Sequence, residues 1–262
     1  MAWAAEVSGA ELNYDTATVQ VPHPDGVTLH RLDVLKPVVE ADALINLAKL
    51  KTHNLSGLTV CVKNLFGIVP GVLKFSYHAK LRDAWRLCEG LVDIATFAKP
   101  VLNIVDAVIA MEGNGPSGGD PRRVGAILAG VNPFDVDVAA AALVNFDPAL
   151  FVTTQVAVQR GLTTGRAEDL TWLGDPLDEL RVSDFRKGAV AAVDPGIVPR
   201  KLLGLITIGR PAPRSVGETP KGLSRYMLMY GGWFMRQLVI LPHAGPKCVG
   251  CGVCVRSCPV GA

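Results

Sequence analysis

Four cysteines lie close together near the C-terminal end of the chain, and their spacing is the strongest chemical signal in the sequence. Cys248, Cys251, Cys254 and Cys258 are followed by Pro259, which gives the pattern C-x₂-C-x₂-C-x₃-C-P. Thiolates at this spacing can converge on one inorganic core, and the pattern is typical of 4Fe–4S cluster binding. A zinc site usually pairs two C-x₂-C units across a longer spacer, and a disulfide framework needs an oxidising compartment. We therefore predict a 4Fe–4S cluster.

The role of the fourth cysteine depends on whether the complete protein holds one cluster or two. In two-cluster proteins with this run, the fourth cysteine ligates the other cluster, whose remaining ligands come from a second array. On that pattern Cys258 would serve a second cluster, and no further array follows it before Ala262. The other two thiols, Cys61 and Cys88, fall on apolar helix faces, and we interpret them as packed side chains. We therefore expect a complete protein that extends beyond this chain.

Three groups of polar residues fall where predicted strands end, and they are the candidates for ligand binding. In open α/β sheets ligands bind at the carboxyl ends of the strands, so these groups are expected to converge. A pocket of cations, carboxylates and backbone amides would suit an anionic or metal-bound ligand. The candidate ligand-binding residues are Lys49, Lys51, Lys63, Asn64, Asn114 and Asp137. The candidate catalytic residues, for proton relay or metal binding, are Glu112, Asp106 and His53.

Each of these residues also has an ordinary structural interpretation. Paired lysines commonly form a solvated face, and His53 could be a loop or capping residue. Lys63 is the least ordinary, since it falls in an apolar helix and should either extend to solvent or meet a carboxylate. Asp137 could stabilise a helix N-terminus. Residues 113–118 formally match G-x-G-x-x-G, but no helix follows to receive a pyrophosphate, so we treat the match as accidental.

Alternating apolar runs and amphipathic segments predict the elements that would position these residues. The alternation favours an α/β fold with a mostly parallel sheet and flanking helices. We divide the chain into an α/β domain that is incomplete at its N-terminus, a proline-rich connector with short helices and a small ferredoxin-like iron–sulfur segment. These cover residues 1–186, 187–246 and 247–262. Predicted strands are 43–48, 101–105, 124–129 and 170–173; predicted helices are 34–40, 56–69, 79–97, 134–146 and 148–159.

Composition limits the class of protein. Hydrophobic residues make up 49% and charged residues 19% of the 262 residues, which is enough for a sizeable core. A net charge of +2 is too small to indicate binding to nucleic acid or to an anionic membrane. The first residues do not resemble a signal peptide, and no apolar run is long enough for a membrane span. We therefore expect a cytoplasmic protein with no nucleic acid partner and no membrane span.

Several motifs together resemble a known family. KLKTH at 49–53, GLTVCVKNLFG at 57–67, MEGNGP at 111–116 and AGVNP at 129–133 occur in this order. With the cysteine run, they resemble the iron–sulfur family called domain of unknown function 362, over about residues 35–180 and 247–262. The resemblance implies an α/β domain followed by a two-cluster ferredoxin-type domain. Compared with members of this family, the chain resembles a fragment that lacks both ends. The family name implies no established reaction.

Three functions follow from these observations as expectations. The leading one is an iron–sulfur oxidoreductase that passes electrons from its cluster to a small-molecule substrate at the sheet edge. The second is a non-enzymatic electron-transfer or scaffold subunit, which would dock on an electron donor or acceptor protein through the segment 226–241, rich in Met and aromatic residues. The third is a metal- or cofactor-handling protein, with the acidic loop that begins at Glu112 as its metal site.

Overall fold

The structure is a computed structural model that describes residues 2–53, 56–81 and 84–188. Within these ranges, a four-stranded sheet has the order β4-β3-β5-β6, and β1 and β2 form a separate antiparallel pair. β3 and β5 are parallel, whereas β4 pairs antiparallel with β3 and β6 pairs antiparallel with β5. The strands are β1 (Thr18–Pro22), β2 (Arg31–Leu35), β3 (Ile45–His53), β4 (Gly57–Thr59), β5 (Leu102–Glu112) and β6 (Asp120–Gly130).

Helices connect and cover these strands. The α-helices are α1 (Ala2–Ser8), α2 (Lys36–Glu40), α3 (Cys61–Leu65), α4 (Gly71–Lys80), α5 (Ala84–Ala98), α6 (Pro133–Leu143), α7 (Val152–Gln159) and α8 (Leu177–Leu180). Short 3₁₀ turns cover Phe66–Ile68, Pro148–Leu150 and Ala167–Asp169. α6 begins where the Asn132 side chain accepts a hydrogen bond from the N–H of Phe134, with Pro133 at the first helical position, as is typical of helix N-termini.

The inner face of the sheet packs on α6, because side chains alternate between the two faces of a strand. Along β3, Ala48 and Leu50 are buried while Lys49 between them is exposed. These residues join a cluster that includes Val105 of β5 and Leu143 of α6. A second cluster surrounds α5 and contains residues of α3, α7 and β2. Helices α3 and α6 thus lie between the sheet and the second cluster, which fixes α3 beside the end of β3.

The outer face of the sheet exposes apolar side chains in the described part of the chain. Ile45, Leu47 and Ile127 are 55%, 68% and 66% exposed. The same face also carries polar side chains, among them an ion pair between Lys49 and Asp106, which are register partners on β3 and β5.

The prediction of an α/β fold is confirmed, but the sheet is mixed rather than mostly parallel. The parallel pair β3–β5 carries the two predicted strands at 43–48 and 101–105. β6 follows β5 through the short loop 113–119, and a loop of this length can only join antiparallel strands. The predicted helix 56–69 instead begins with β4, since Gly57 has a φ of +79° and reverses the chain into a pairing with β3.

Other predicted elements are displaced. The first part of the predicted helix 34–40 belongs to β2, and the predicted helix 79–97 is divided between α4 and α5. Residues 170–173 do not form a strand; the indole of Trp172 donates back to the carbonyl of Ala167, which closes a turn. The interpretation of Cys61 and Cys88 as packed thiols is confirmed, because neither forms a disulfide and both are fully buried.

The described residues end at Gly188, so most of the predicted connector and the whole cysteine segment 247–262 lie outside them. No helix in the described ranges is long and apolar enough to cross a membrane.

Candidate functional site

A cavity of about 340 Å³ lies at the carboxyl end of β3, and most of its polar lining is cationic. β3, β4, α3, α4, the 3₁₀ turn after α3 and the β5–β6 loop all contribute to it. We call it the lysine cavity. Its lining residues are Lys49, Lys51, His53, Thr59, Lys63, Asn64, Phe66, Gly67, Lys74 and Pro116.

The strand period brings three of these side chains together. Lys49, Lys51 and His53 alternate along β3 and therefore share one face. The β3–β5 pairing changes register between Lys49 and Lys51, where Lys51 comes to lie opposite Met111. Such irregularities bend a strand and redirect its side chains, and they occur often beside functional sites.

A buried network of asparagines holds α3 against the sheet beside the cavity. The amide nitrogen of Asn64 donates to Asn46 Oδ1 at 2.8 Å and to the carbonyl of Leu47 at 2.9 Å. Asn46 in turn donates to Asn103 Oδ1 and to the carbonyl of Cys61. Because both amide hydrogens of Asn64 are donated to β3, this residue fixes the position of α3, and hence of Lys63, rather than donating to a ligand.

The positive charge of the lysine cavity is poorly compensated. Lys49 has a partner, since its Nζ lies 2.8 Å from Asp106 Oδ2. This hydrogen bond lowers the pKa of Asp106 below its ordinary value. Within the described ranges, no carboxylate forms an ion pair with Lys51, Lys63 or Lys74. Three lysines of one cavity therefore lack an acidic partner among these residues.

Lys63 is the most perturbed of these lysines. Burial lowers its pKa below the ordinary value, and the nearby charges of Lys74 and Lys51 lower it further. Its Nζ lies 4.7 Å from the centroid of the Phe66 ring, and Lys74 Nζ lies 5.7 Å from the same centroid. Lys63 thus meets neither of the two sequence expectations: it is half-buried, and the group beside its ammonium is an aromatic ring. A cation that is desolvated and repelled in this way favours the arrival of an anion.

His53 and Thr59 also line the cavity. His53 Nδ1 accepts a hydrogen bond from the backbone N–H of Ser56 at 3.2 Å, which assigns the proton of a neutral ring to Nε2. The hydroxyl of Thr59 is buried and has no hydrogen-bond partner in the described part of the protein. Buried polar groups without partners are uncommon and unfavourable. Thr59 can therefore gain a hydrogen bond when a ligand enters.

Glu112 and Asn114 are near the cavity but do not line it. Glu112 accepts from the side chain of Arg186 at 2.7 Å and from its backbone N–H at 3.0 Å. Burial alone would raise the pKa of Glu112, but these hydrogen bonds outweigh burial and hold the pKa below its ordinary value. Asn114 is exposed in the β5–β6 loop, whose Gly113 N–H donates to the carbonyl of Arg186. The pair Glu112–Arg186 thus anchors the loop that carries Pro116 to the cavity.

Asp137 lies on the other side of α3. Its carboxylate accepts from the backbone N–H groups of Cys61 and Val62, at 2.6 and 3.3 Å, and so caps the N-terminus of α3. Burial raises the pKa of Asp137 to about 7, against the lowering effect of these hydrogen bonds. Asp137 thus lies at a helix N-terminus, as the structural interpretation of the sequence allowed, but the helix is α3 and not α6, to which Asp137 belongs.

A metal site within the acidic loop has no counterpart in the described residues. No three His, Cys, Asp or Glu side chains of residues 2–53, 56–81 and 84–188 converge to hold a metal ion. Glu112 and Asp120, which begin and end the loop, both contact Arg186. The four clustered cysteines lie outside this part of the chain.

Sequence reasoning missed Lys74 and Thr59. Lys74 was missed because no helix was expected between Pro70 and residue 79. One signal was available: the sequence contains no acidic residue between Asp42 and Asp83, although four lysines of the cavity fall there. Such a window of uncompensated cations indicates an anion-binding surface more directly than any single lysine does.

Comparison with known proteins identifies relatives of this domain. The family model described as "Domain of unknown function (DUF362)" matches residues 1–142, which is more than half of the chain. A protein of Synechocystis sp., named thylakoid-associated protein sll1697, is 40% identical over 145 residues. The match covers 55% of this chain and 45% of that protein, so the chain matches less than half the length of this relative. No solved structure shows a significant match.

Proposed function

We propose, on the premise that this chain belongs to the DUF362 family, that it is an iron–sulfur redox protein whose α/β domain binds an anionic small molecule in the lysine cavity. One observation carries the ligand-binding part: Lys51, Lys63 and Lys74 line the cavity with no ionic partner in the described ranges. Lysines are rarely held close together without acidic partners, because their charges repel one another. A bound anion would offset this repulsion, so we expect anion binding in the cavity to be favourable.

The iron–sulfur part of the proposal is supported by the chemistry of the donor set. Four cysteine thiolates at the C-x₂-C-x₂-C-x₃-C spacing fit a 4Fe–4S cluster. When bound, such a cluster accepts and donates single electrons. Cys248, Cys251 and Cys254 would hold it, with Cys258 completing the set or ligating a second cluster in the complete protein.

Among the three candidate catalytic residues, His53 lines the lysine cavity, and we propose it as the residue that exchanges a proton with the ligand. Asp106 is engaged with Lys49 on the outer face of the sheet, and Glu112 is engaged with Arg186. We therefore assign these two carboxylates to positioning Lys49 and the β5–β6 loop.

A scaffold subunit without a ligand is the second candidate, and the lysine cavity is the observation against it. A domain that only docks other proteins does not need cations gathered in a concave site. The exposed apolar residues Ile45, Leu47 and Ile127 favour the presence of a partner, and none of them lines the cavity. Docking and ligand binding can therefore coexist in one protein.

Thermal unfolding of the full 262-residue chain, purified without oxygen, tests the ligand-binding proposal. We expect sulfate, inorganic phosphate and citrate at millimolar concentration to raise the midpoint of the wild-type protein more than chloride at equal ionic strength does. The triple variant Lys51→Gln, Lys63→Gln, Lys74→Gln should lose this difference. Lys80→Gln is the matched control, because Lys80 belongs to the same helix as Lys74 but does not line the cavity. Equal midpoints in all four salts for the wild type would refute the proposal.

Iron and sulfide analysis tests the redox part separately. We expect about four iron atoms and four sulfides per chain for each bound cluster, and a brown protein. Substitution of Cys248, Cys251 and Cys254 by serine should remove iron without altering the anion-dependent midpoint. A preparation that contains zinc instead of iron would refute the iron–sulfur part of the proposal and would not affect the ligand-binding part.

A further inference from the structure

We infer that the ligand of the lysine cavity is the phosphate monoester of a small organic molecule, bound as a dianion. The inference rests on the proposed function, because it names the class of anion that the same cavity takes. It draws on the number of unpaired charges, on the kind of cation, on the unpartnered hydroxyl and on the size of the space.

The number of charges favours a dianion. Lys51, Lys63 and Lys74 have no carboxylate partner in the described part of the chain, whereas Lys49 is neutralised by Asp106. A monoanion would leave most of this charge unbalanced and would leave the repulsion between Lys63 and Lys74 in place. A phosphate monoester carries nearly two negative charges at neutral pH, since its second pKa is about 6. It therefore compensates the cavity more completely than one carboxylate does.

The kind of cation favours phosphate over carboxylate. Arginine offers a planar fork that matches the two oxygens of a carboxylate, and no arginine is among the described residues that line the cavity. Lysine ammoniums are compact point charges that approach from different directions. Lys51 of β3, Lys63 of α3 and Lys74 of α4 come from three different elements. Convergence from several directions suits the three terminal oxygens of a tetrahedral phosphate.

The unpartnered hydroxyl supplies a neutral donor. Thr59 is 8% exposed, it lines the cavity, and its Oγ1 has no hydrogen-bond partner among the described groups. A phosphate oxygen can accept this hydrogen bond together with those of the lysines, because each oxygen accepts more than one. The hydroxyl is thus satisfied by the ligand and by nothing else in the described structure.

The space favours an ester rather than the free ion. A volume of about 340 Å³ lies at the lower end of the range for small-molecule pockets and exceeds the space that a bare oxyanion fills. Phe66, Gly67 and Pro116 provide lining without charge. We therefore place a small organic group, rather than a nucleotide, next to these residues.

Isothermal titration of the full chain with four probes tests this inference. The probes are glycerol 3-phosphate, inorganic phosphate, sulfate and succinate, at pH 7.5 and pH 5.5. At pH 7.5 we expect glycerol 3-phosphate to bind at least tenfold more tightly than succinate and more tightly than inorganic phosphate. Lys51→Gln, Lys63→Gln and Lys74→Gln should each weaken its binding about ten- to hundredfold, as expected for a lost charge-assisted hydrogen bond. Lys80→Gln should leave the affinity unchanged.

The measurements at two pH values separate protonation of the ligand from protonation of the protein. Between pH 7.5 and 5.5 the dianionic fraction of the ester falls to about a quarter, so its affinity should fall by up to about fourfold. Sulfate has no proton to gain in this range and should show no such fall. The groups facing the ligand are Lys49, Lys51 and His53 of β3, Lys63 of α3 and Lys74 of α4, with Asp106 of β5 beside Lys49. A His53→Gln background removes the imidazole from this comparison.

The possible failures are distinguishable. Succinate that binds as tightly as glycerol 3-phosphate would overturn the phosphate inference and leave an anion site in place. Inorganic phosphate that binds as tightly as the ester would overturn the inference that the ligand carries an organic group. Binding of none of the four probes would overturn the inference and the proposed function together. Variants that lose binding must unfold at midpoints within a few degrees of the wild type; a variant that is unfolded is replaced by the corresponding Lys→Met substitution, for which the same loss of affinity is required.

Discussion

Replacement of Lys63 by methionine should stabilise the protein without its ligand and abolish its response to the ligand. Methionine keeps an unbranched apolar side chain over the Phe66 ring but removes the charge. The lowered pKa of Lys63 shows that the folded protein disfavours this charge, because of burial and of its lysine neighbours. Residues that are selected for binding often reduce stability in this way.

The size of the effect follows from the geometry. Lys63 Nζ and Lys74 Nζ lie 4.7 and 5.7 Å from one ring centroid, so they are at most about 10 Å apart. At that distance their repulsion is about 0.4 kcal/mol in water and about 1.7 kcal/mol at an effective dielectric constant of about 20. Removal of Lys63 also removes its desolvation penalty and loses a cation–π contact of about 0.5–1 kcal/mol. The net result is a gain of about 1 kcal/mol, or about 2–4 °C in the unfolding midpoint of a domain of this size.

Thermal unfolding monitored by circular dichroism measures both effects, with and without 10 mM sulfate. Lys36→Met is the matched control, because Lys36 is an exposed lysine whose partner Glu40 lies one helical turn away. It should change the midpoint by less than about 1 °C and should keep the sulfate response. The reasoning is refuted if Lys63→Met lowers the midpoint, or if the variant responds to sulfate as the wild type does.

Three further predictions concern other parts of the described domain. Asp93→Asn should lower the free energy of unfolding by about 3 kcal/mol in urea titrations, because Asp93 is fully buried and pairs with Arg160; a loss below 1 kcal/mol would contradict this. A Cβ at Gly115 would overlap the Thr52 carbonyl, so Gly115→Ala should lower the free energy of unfolding by about 1–3 kcal/mol. The same variant should bind anions at least tenfold more weakly, and an unchanged affinity would refute this prediction. Burial raises the pKa of Asp137 from 3.8 to about 7, so the folded state binds the carboxyl proton more tightly than the unfolded state does. The free energy of unfolding, measured in urea titrations, should therefore fall as the pH rises from 5.5 to 8. Asp137→Asn should remove that fall.

The part of the site that the sequence predicted depends on local periodicity. Lys49, Lys51 and His53 follow an apolar run, so a strand with these side chains at its carboxyl end could be expected, and they do line one cavity. Lys63 was noticed because a charged residue interrupts an apolar segment. The parallel pairing of β3 and β5 was also expected from two apolar runs separated by helical segments.

The remaining features depend on contacts between residues far apart in the chain. Arg186 reaches Glu112 across 74 residues, and Asp137 reaches Cys61 across 76, and no local pattern encodes either pairing. β4 is three residues long, which is too short for a period-2 pattern to be recognised. The antiparallel return of β6 depends on the conformation of the β5–β6 loop, which composition alone does not specify.

Anomalous diffraction can show whether the lysines of this cavity bind an anion. Crystals of the full chain soaked in selenate would reveal the position of a tetrahedral dianion through the selenium signal. We expect the strongest anomalous peak within hydrogen-bonding distance of the ammonium groups of Lys51, Lys63 and Lys74, and no peak there in crystals of the triple glutamine variant. Selenate peaks confined to other surfaces of the molecule would contradict it.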